Sequence, residues 1–221
     1  MKILVSWSSG KDSAWMLHVL RQNGAGEVGA LLTSVNETAG RVSMHGVREE
    51  ILRAQADAAD LPLMTIPLPW PCSNEIYEAR LRAAVDRAVA VGFTHVAFGD
   101  LFLEDVRTYR EDRLAGTGLT PLFPLWERPT PALAREMIAS GLRARLSCLD
   151  PRVMPRELIG AAFDERLLAS LPSSVDPCGE RGEFHTCVTA GPMFSSALRI
   201  ELGEVVEREG FLFGDLTLVR A

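Results

Sequence analysis

Four short apolar runs, residues 3–6, 28–35, 63–68 and 95–98, are separated by stretches whose apolar residues recur at helical spacing. Trp15, Met16, Val19 and Leu20 fall on one face of residues 12–22, and Val47, Ile51 and Ala54 on one side of residues 47–59. A third helix is expected from Asn74, whose side chain can cap it, to about Val91, with Ile76, Leu81, Val85 and Val89 near helical spacing. The order is therefore βαβαβαβ. Buried strands joined by helices predict an α/β fold, a Rossmann-like parallel sheet with helices on both faces. Ligands of such sheets bind beyond the carboxyl ends of the strands, which here are residues 6–13, 34–46 and 99–110.

After Arg128 the prolines Pro129 and Pro131 interrupt this pattern. A helix (132–140), a strand (143–148) and a short helix (164–171) follow, and residues 185–219 alternate apolar and polar around a turn-like Glu209–Gly210. An antiparallel hairpin is expected there. The 221 residues suit one large domain or two small ones; the pattern favours a first unit of residues 1–128 and a smaller α+β unit of residues 129–221.

With 47% hydrophobic residues the chain can bury a full core, and its net charge of −6 argues against a nucleic-acid partner. No stretch approaches the roughly 18 apolar residues of a membrane span, and the first apolar run is too short for a signal peptide. A cytoplasmic protein with no membrane partner is expected. Cys72, Cys148, Cys178 and Cys187 are far apart with no C-x-x-C pair, so they are read as reduced thiols.

The densest chemistry lies in Ser8-Ser9-Gly10-Lys11-Asp12-Ser13, between the first strand and the first helix. Unpaired N–H groups at a helix start favour an anion, a glycine permits close approach, and Lys11 adds a positive charge. The segment is not a Walker A loop, which would need Gly at Val5 and Ser or Thr at Asp12. A plain helix-capping turn would need neither the lysine nor several hydroxyls. Asp12 beside phosphates calls for a bridging Mg²⁺.

This loop resembles that of the PP-loop ATP pyrophosphatases, the adenine nucleotide alpha hydrolase-like superfamily, whose motif is S-G-G-x-D-S; Ser9 stands where the first glycine is usual. Further segments resemble the diphthine–ammonia ligase family: residues 44–48 (Met-His-Gly-Val-Arg), Gly99-Asp100-Leu101, residues 121–126, and above all residues 179–186 (Gly-Glu-Arg-Gly-Glu-Phe-His-Thr) with residues 191–194. The resemblance spans nearly the whole chain. His185 departs from a position where the family commonly has Glu, which suggests a divergent substrate.

The resemblance implies an ATP-binding domain, a smaller substrate domain, and adenylation of a carboxylate followed by attack of ammonia to give an amide, AMP and pyrophosphate. ATP and Mg²⁺ are the implied cofactors, with Ser8, Ser9, Gly10, Lys11, Asp12, Ser13, His45 and Gly99 at the nucleotide and Asp12 toward the metal. Lys11, Asp12, Asp100, Glu180 and Glu183 are the implied catalytic set, the two glutamates as acceptors of a proton from ammonium. Gly179, Gly182, His185 and Thr186 belong to the loop expected at the substrate. Arg107, Tyr109 and Arg110 follow the fourth strand and could clamp an anion, although a solvated helix explains arginines equally well.

Two other readings stand beside this one: a PP-loop enzyme that adenylates tRNA, disfavoured by the acidic balance, and a non-catalytic nucleotide sensor, disfavoured by the motif at residues 179–186. Lysine occurs only at Lys2 and Lys11 in an arginine- and alanine-rich chain. That usage is expected of a GC-rich genome and suggests a bacterial source. A homodimer is compatible with all of these readings.

Overall fold

A computed structural model describes residues 1–219; the last two residues of the expected second unit lie outside it. The first unit runs β1 (Lys2–Ser6), α1 (Lys11–Asn23), β2 (Glu27–Asn36), β3 (Arg41–Val42), α2 (Glu49–Ala58), β4 (Leu63–Leu68), α3 (Asn74–Ala90), β5 (His95–Ala97), α4 (Glu104–Leu114) and β6 (Thr120–Leu122). Its parallel strands lie in the order β4-β2-β1-β5-β6, and β3 adds antiparallel to the end of β2. The predicted alternation is present. One helix and two short strands join it: α4 buries only Leu114 and so carries no apolar stripe, and β3 has two residues and β6 three, one of them Pro121, too few for a periodic signal.

β1 is buried on both faces because its side chains alternate between two cores. Ile3 and Val5 pack with Trp15 and Leu17 of α1 and Ile51 and Leu52 of α2. Leu4 packs with Ala84, Val85 and Ala88 of α3 and Leu114 of α4. Because β1 pairs with β2 on one side and β5 on the other, the strand order reverses at β1, and a crevice opens beyond its carboxyl end. The loop at residues 7–10 opens into it.

Two helix boundaries differ from the sequence expectation. Ser73, not Asn74, caps α3, its Oγ accepting from the Ile76 N–H at 3.3 Å. α2 begins at Glu49 rather than Val47, because the Val42 N–H bonds the Val47 carbonyl at 2.8 Å and holds the intervening residues in a turn.

The second unit comprises α5 (Thr130–Ala139), β7 (Arg143–Leu149), α6 (Glu165–Ser170), β8 (Phe184–Ala190), β9 (Ile200–Arg208) and β10 (Phe211–Leu218). Its antiparallel sheet has the order β8-β7-β10-β9, and the expected hairpin turn joins β9 to β10. The units are not separate globules. Ile3, Val5 and Leu17 of the first share one buried cluster with Leu146, Leu149 and Leu212 of the second.

The seam is also charged. Arg48 binds both carboxylate oxygens of Asp215 (2.8 and 2.6 Å), and Arg41 reaches one of them at 2.9 Å. The Arg48 hydrogen bonds, helped by Arg41 against partial burial, hold the Asp215 carboxyl at about 2. A carboxylate held below its usual range stabilises the fold above the unfolded-state value and loses that contribution as it is protonated. Discounted for the partial exposure of the arginines, Asp215→Asn should cost about 1–2 kcal/mol at neutral pH. Urea titrations should show the gap between wild type and variant closing as the pH falls from about 4 to about 2.

Candidate functional site at the switch point

The loop after β1 is shaped by its own hydroxyls. The Ser8 N–H donates to Ser13 Oγ at 3.3 Å, the two serine hydroxyls lie 3.2 Å apart, and Ser13 Oγ donates to the Gly10 carbonyl at 3.0 Å. Gly10 is the N-cap of α1 and brings no side-chain cap, which leaves the helix start open to an anion. Ser9, at the position where glycine is usual, adopts φ 69°, a left-handed conformation that costs a side-chain-bearing residue on the order of 1 kcal/mol. Its carbonyl accepts the Val188 N–H at 2.9 Å and the Gln55 side-chain amide at 3.2 Å. Gln55, fully buried, also accepts from Trp7 Nε1 (3.0 Å) and donates to the Val188 carbonyl (2.7 Å).

A cavity of about 290 Å³ opens beside this loop. Leu4, Leu32, Ile66 and Val96 of the sheet form an apolar floor, with Tyr77 of α3 along one wall. Ser6, Ser8, Thr33, Ser34 and Ser43 add polar atoms at the strand ends, and Met44, His45, Tyr109, Arg110 and Arg113 surround it. An apolar slot with hydroxyls at one end, leading to a helix N-terminus, suits a flat base and its phosphates.

Gly99 closes the other side of the crevice. A Cβ there would lie 3.0 Å from the Asp12 carbonyl carbon and 3.1 Å from the Ser13 nitrogen, so a larger residue would push the loop after β5 away from the backbone of α1. Asp100 follows and is held by Arg110 through both carboxylate oxygens, while the guanidinium lies 4.4 Å from the Phe98 ring centroid. Arg107 is directed elsewhere: it pairs with Glu111 at 2.8 Å and lies 4.8 Å from both the Phe123 and Trp126 rings. Tyr109 remains partly exposed at the cavity rim.

Lys11 does not face the open crevice. Its side chain is buried, paired with Asp12 Oδ2 at 2.7 Å and donating to the Cys178 carbonyl of the second unit. Burial opposes its charge most strongly, but Asp12, Cys178 and Glu180 together outweigh it and raise its pKa. Burial pushes Asp12 upward, with Lys11 pulling the other way. Asp12 Oδ1 is buried without a hydrogen-bond partner, and so are Ser9 Oγ and His45 Nδ1. Among the described residues no cluster of three or more His, Cys, Asp or Glu could hold a metal by itself.

The segment at residues 176–183 meets the same loop. Glu180 Oε1 accepts the Leu101 N–H at 2.7 Å. Burial raises its carboxyl to about 7, with Asp12 and Asp100 adding to the effect and the Leu101 hydrogen bond and Lys11 opposing it. Glu183 has the other role open to a carboxylate. Its two oxygens accept the Asp176 and Arg181 N–H groups at 2.9 Å each, so it orders the segment from within. Gly179 is left-handed (φ 68°), and a Cβ would lie 2.7 Å from the Phe184 carbonyl; Gly182 is also left-handed (φ 85°). Thr186 Oγ1 accepts the Lys11 N–H at 3.0 Å.

Sequence reasoning had no place for Gln55, Asp176 or the Cys178 carbonyl. Gln55 offered one clue, a polar residue on the buried stripe of Ile51, Leu52 and Ala56.

A Rossmann-like sheet with a PP-loop at its switch point defines an α/β nucleotide-binding protein of the PP-loop class. Residues 1–119 match the family model of the diphthamide synthase N-terminal domain and residues 130–219 that of the C-terminal domain; the chain belongs to this family. It is 25% identical over 228 residues to a Schizosaccharomyces pombe diphthine–ammonia ligase, an alignment covering 94% of this chain and 37% of that protein. It is 31% identical over 130 residues to a Danio rerio protein of the same name and 28% over 130 residues to the Rattus norvegicus one. Each alignment covers 57% of this chain, and 51% and 49% of those proteins. The chain thus spans between 37% and 51% of the length of these curated relatives. Among the described residues no helix is long and apolar enough to cross a membrane, and all four cysteines are free.

His45 and His185 meet across the seam, with ring centroids 4.4 Å apart. Burial, aided by the charge on Lys11, lowers His185 to about 4; burial and its neighbour His185 hold His45 well below its usual range. Both imidazoles are therefore neutral when folded, whereas the unfolded chain takes up protons near pH 6.5. The sign follows: stability is complete above that value and declines as the pH falls from about 6.5 toward 4. Between about pH 7.5 and pH 5, His185→Gln should lose about 2 kcal/mol less stability than wild type in urea titrations.

Proposed function

We propose that this chain is an ATP-dependent ligase that activates a carboxylate by adenylation, releases pyrophosphate and transfers ammonia to form an amide, as the names of its relatives suggest. The observation that carries this reading is Glu180, a half-buried carboxyl raised to about 7 and held at the crevice by the Leu101 amide. A phosphate loop alone fits many adenylating proteins; a carboxylate tuned to neutral pH beside it fits one that must take a proton from a nucleophile.

In this reading the base and ribose occupy the cavity bounded by Tyr77 and His45, and the phosphates lie at the start of α1, where Gly10 allows close approach. The Ser8 and Ser13 hydroxyls hold the loop in shape, so the donors are in place before charge develops on the leaving group. Mg²⁺ fits the residues present: Asp12 Oδ1 is buried and unpartnered, and an ion arriving with ATP needs only one or two protein carboxylates. It would supply charge neutralisation of the phosphates. Arg110, fixed by Asp100, and Tyr109 stand at the rim where the acceptor carboxylate enters.

Ionised Glu180 accepts a proton from ammonium. The ammonia formed attacks the activated carbonyl carbon, the C–N bond forms, the C–O bond to the nucleotide breaks, and the nitrogen gives its extra proton to the departing AMP phosphate, leaving the neutral amide. Glu183 keeps the segment at residues 176–183 in register and touches no reactant. Because Glu180 must be ionised, ammonium-dependent turnover should rise with pH through an apparent pKa near 7.

The decisive assay follows ATP conversion to AMP and pyrophosphate with ammonium and a panel of carboxylates, elongation-factor diphthine among them. Glu180→Gln should reduce ammonium-dependent AMP release by about 100-fold or more and remove the pH dependence near neutrality. Absence of AMP under every condition would favour a nucleotide sensor, and dependence on tRNA the second enzyme class.

A further inference from the structure

Lys11 is only 2% exposed, an unusual place for a residue meant to meet a soluble polyphosphate. Its ammonium lies to one side of the packed Phe163–Phe184 ring pair, at 5.6 and 5.5 Å from the two centroids, with Asp12 and the Cys178 carbonyl as its oxygen partners. At the other end of the residue, the Lys11 N–H donates to Thr186 Oγ1. Both ends therefore grip the second unit.

We propose that Lys11 is a positioning residue that latches the segment at residues 176–183 onto the phosphate loop and thereby sets Glu180 in the crevice. The segment transmits such a latch because it is braced internally. Asp176 Oδ1 accepts the Cys178 and Glu180 N–H groups at 2.9 and 3.3 Å, and Asp176 Oδ2 accepts from Thr130 Oγ1 at 2.6 Å. Fixing the Cys178 carbonyl fixes the backbone two residues on, and Glu180 then reaches the Leu101 amide. Moving the ammonium to a phosphate in the crevice would strip the Cys178 carbonyl and Asp12 of their buried partner, a loss that water could not make good in that enclosure. Phosphate binding falls to the helix start and the loop hydroxyls, and the charge of Lys11 is spent on holding the two units together at the reacting end.

What the latch positions rests on the ligase reading, but the latch itself is measurable without any substrate. Lys11→Arg separates the two roles, since arginine serves a phosphate at least as well as lysine but its larger planar fork does not fit the buried niche closed by Asp12, the Cys178 carbonyl and the two rings. Amide hydrogen exchange across residues 178–183, the affinity for a non-hydrolysable ATP analogue with Mg²⁺, and ammonium-dependent turnover are measured on wild type and variant. Lys11→Arg is expected to speed exchange in that segment by about 10-fold or more and to lower turnover at least as much, with analogue affinity within about 3-fold of wild type.

Exchange unchanged within about 2-fold overturns the latch, whatever the activity does. Analogue affinity weakened by about 10-fold or more with unchanged exchange returns Lys11 to the phosphates. Should Lys11→Arg not accumulate as folded protein, Thr186→Val removes only the backbone anchor and should speed the same amides. Faster exchange in a protein whose wild type never releases AMP would refute the ligase reading and leave the latch standing.

Discussion

The carbonyl of Ser9 is the point on which the two sheets register. It receives the β8 backbone through Val188 and, at the same time, the amide of Gln55, which itself holds Trp7 and the Val188 carbonyl. For that carbonyl to face the second unit, Ser9 must be left-handed, and the cost of that conformation is offset by two hydrogen bonds made in a buried setting. The peptide geometry that shapes the phosphate loop is thus fixed from outside the first unit. A residue-9 backbone turned the other way would lose β8, and with it Thr186, which accepts the N–H of Lys11 two residues further on.

The seam this creates is chemically uneven. At its rim, Asp215 and two arginines are partly hydrated and contribute modestly. At its centre the groups are dry, and burial decides protonation. Lys11 keeps its charge because Asp12 is adjacent, while His45 and His185 give theirs up beside it. Glu180 lies between these cases, shielded enough to approach neutrality and near enough to a backbone N–H to remain ionisable. A second positive charge at either histidine would lie next to Lys11, so the neutrality of the pair and the charge of Lys11 belong to one electrostatic arrangement.

Much of the first unit was legible because its signals are local. Helical and strand periodicities located the elements within a few residues, and the strand–loop–helix order placed Ser8, Gly10 and Gly99 at the crevice. The errors were local as well: Ser73 and Asn74 are both good caps, and only backbone geometry chose the first. Arg107 and Arg110, three residues apart in one helix, looked alike in the sequence. The structure gives one to Glu111 and two aromatic rings, and the other to Asp100 at the cavity.

By itself the sequence determined the α/β alternation, the antiparallel hairpin at the end and a Ser- and Gly-bearing loop between the first strand and the first helix, because each is written in spacings of a few residues. Only the tertiary structure decided what surrounds Lys11, Glu180 and the histidines. Lys11 and Cys178 are 167 positions apart, and Leu101 and Glu180 are 79 apart. Whether a group is charged in a protein depends on how much water is removed from it and on what stands opposite, and neither quantity exists until the second unit closes over the first.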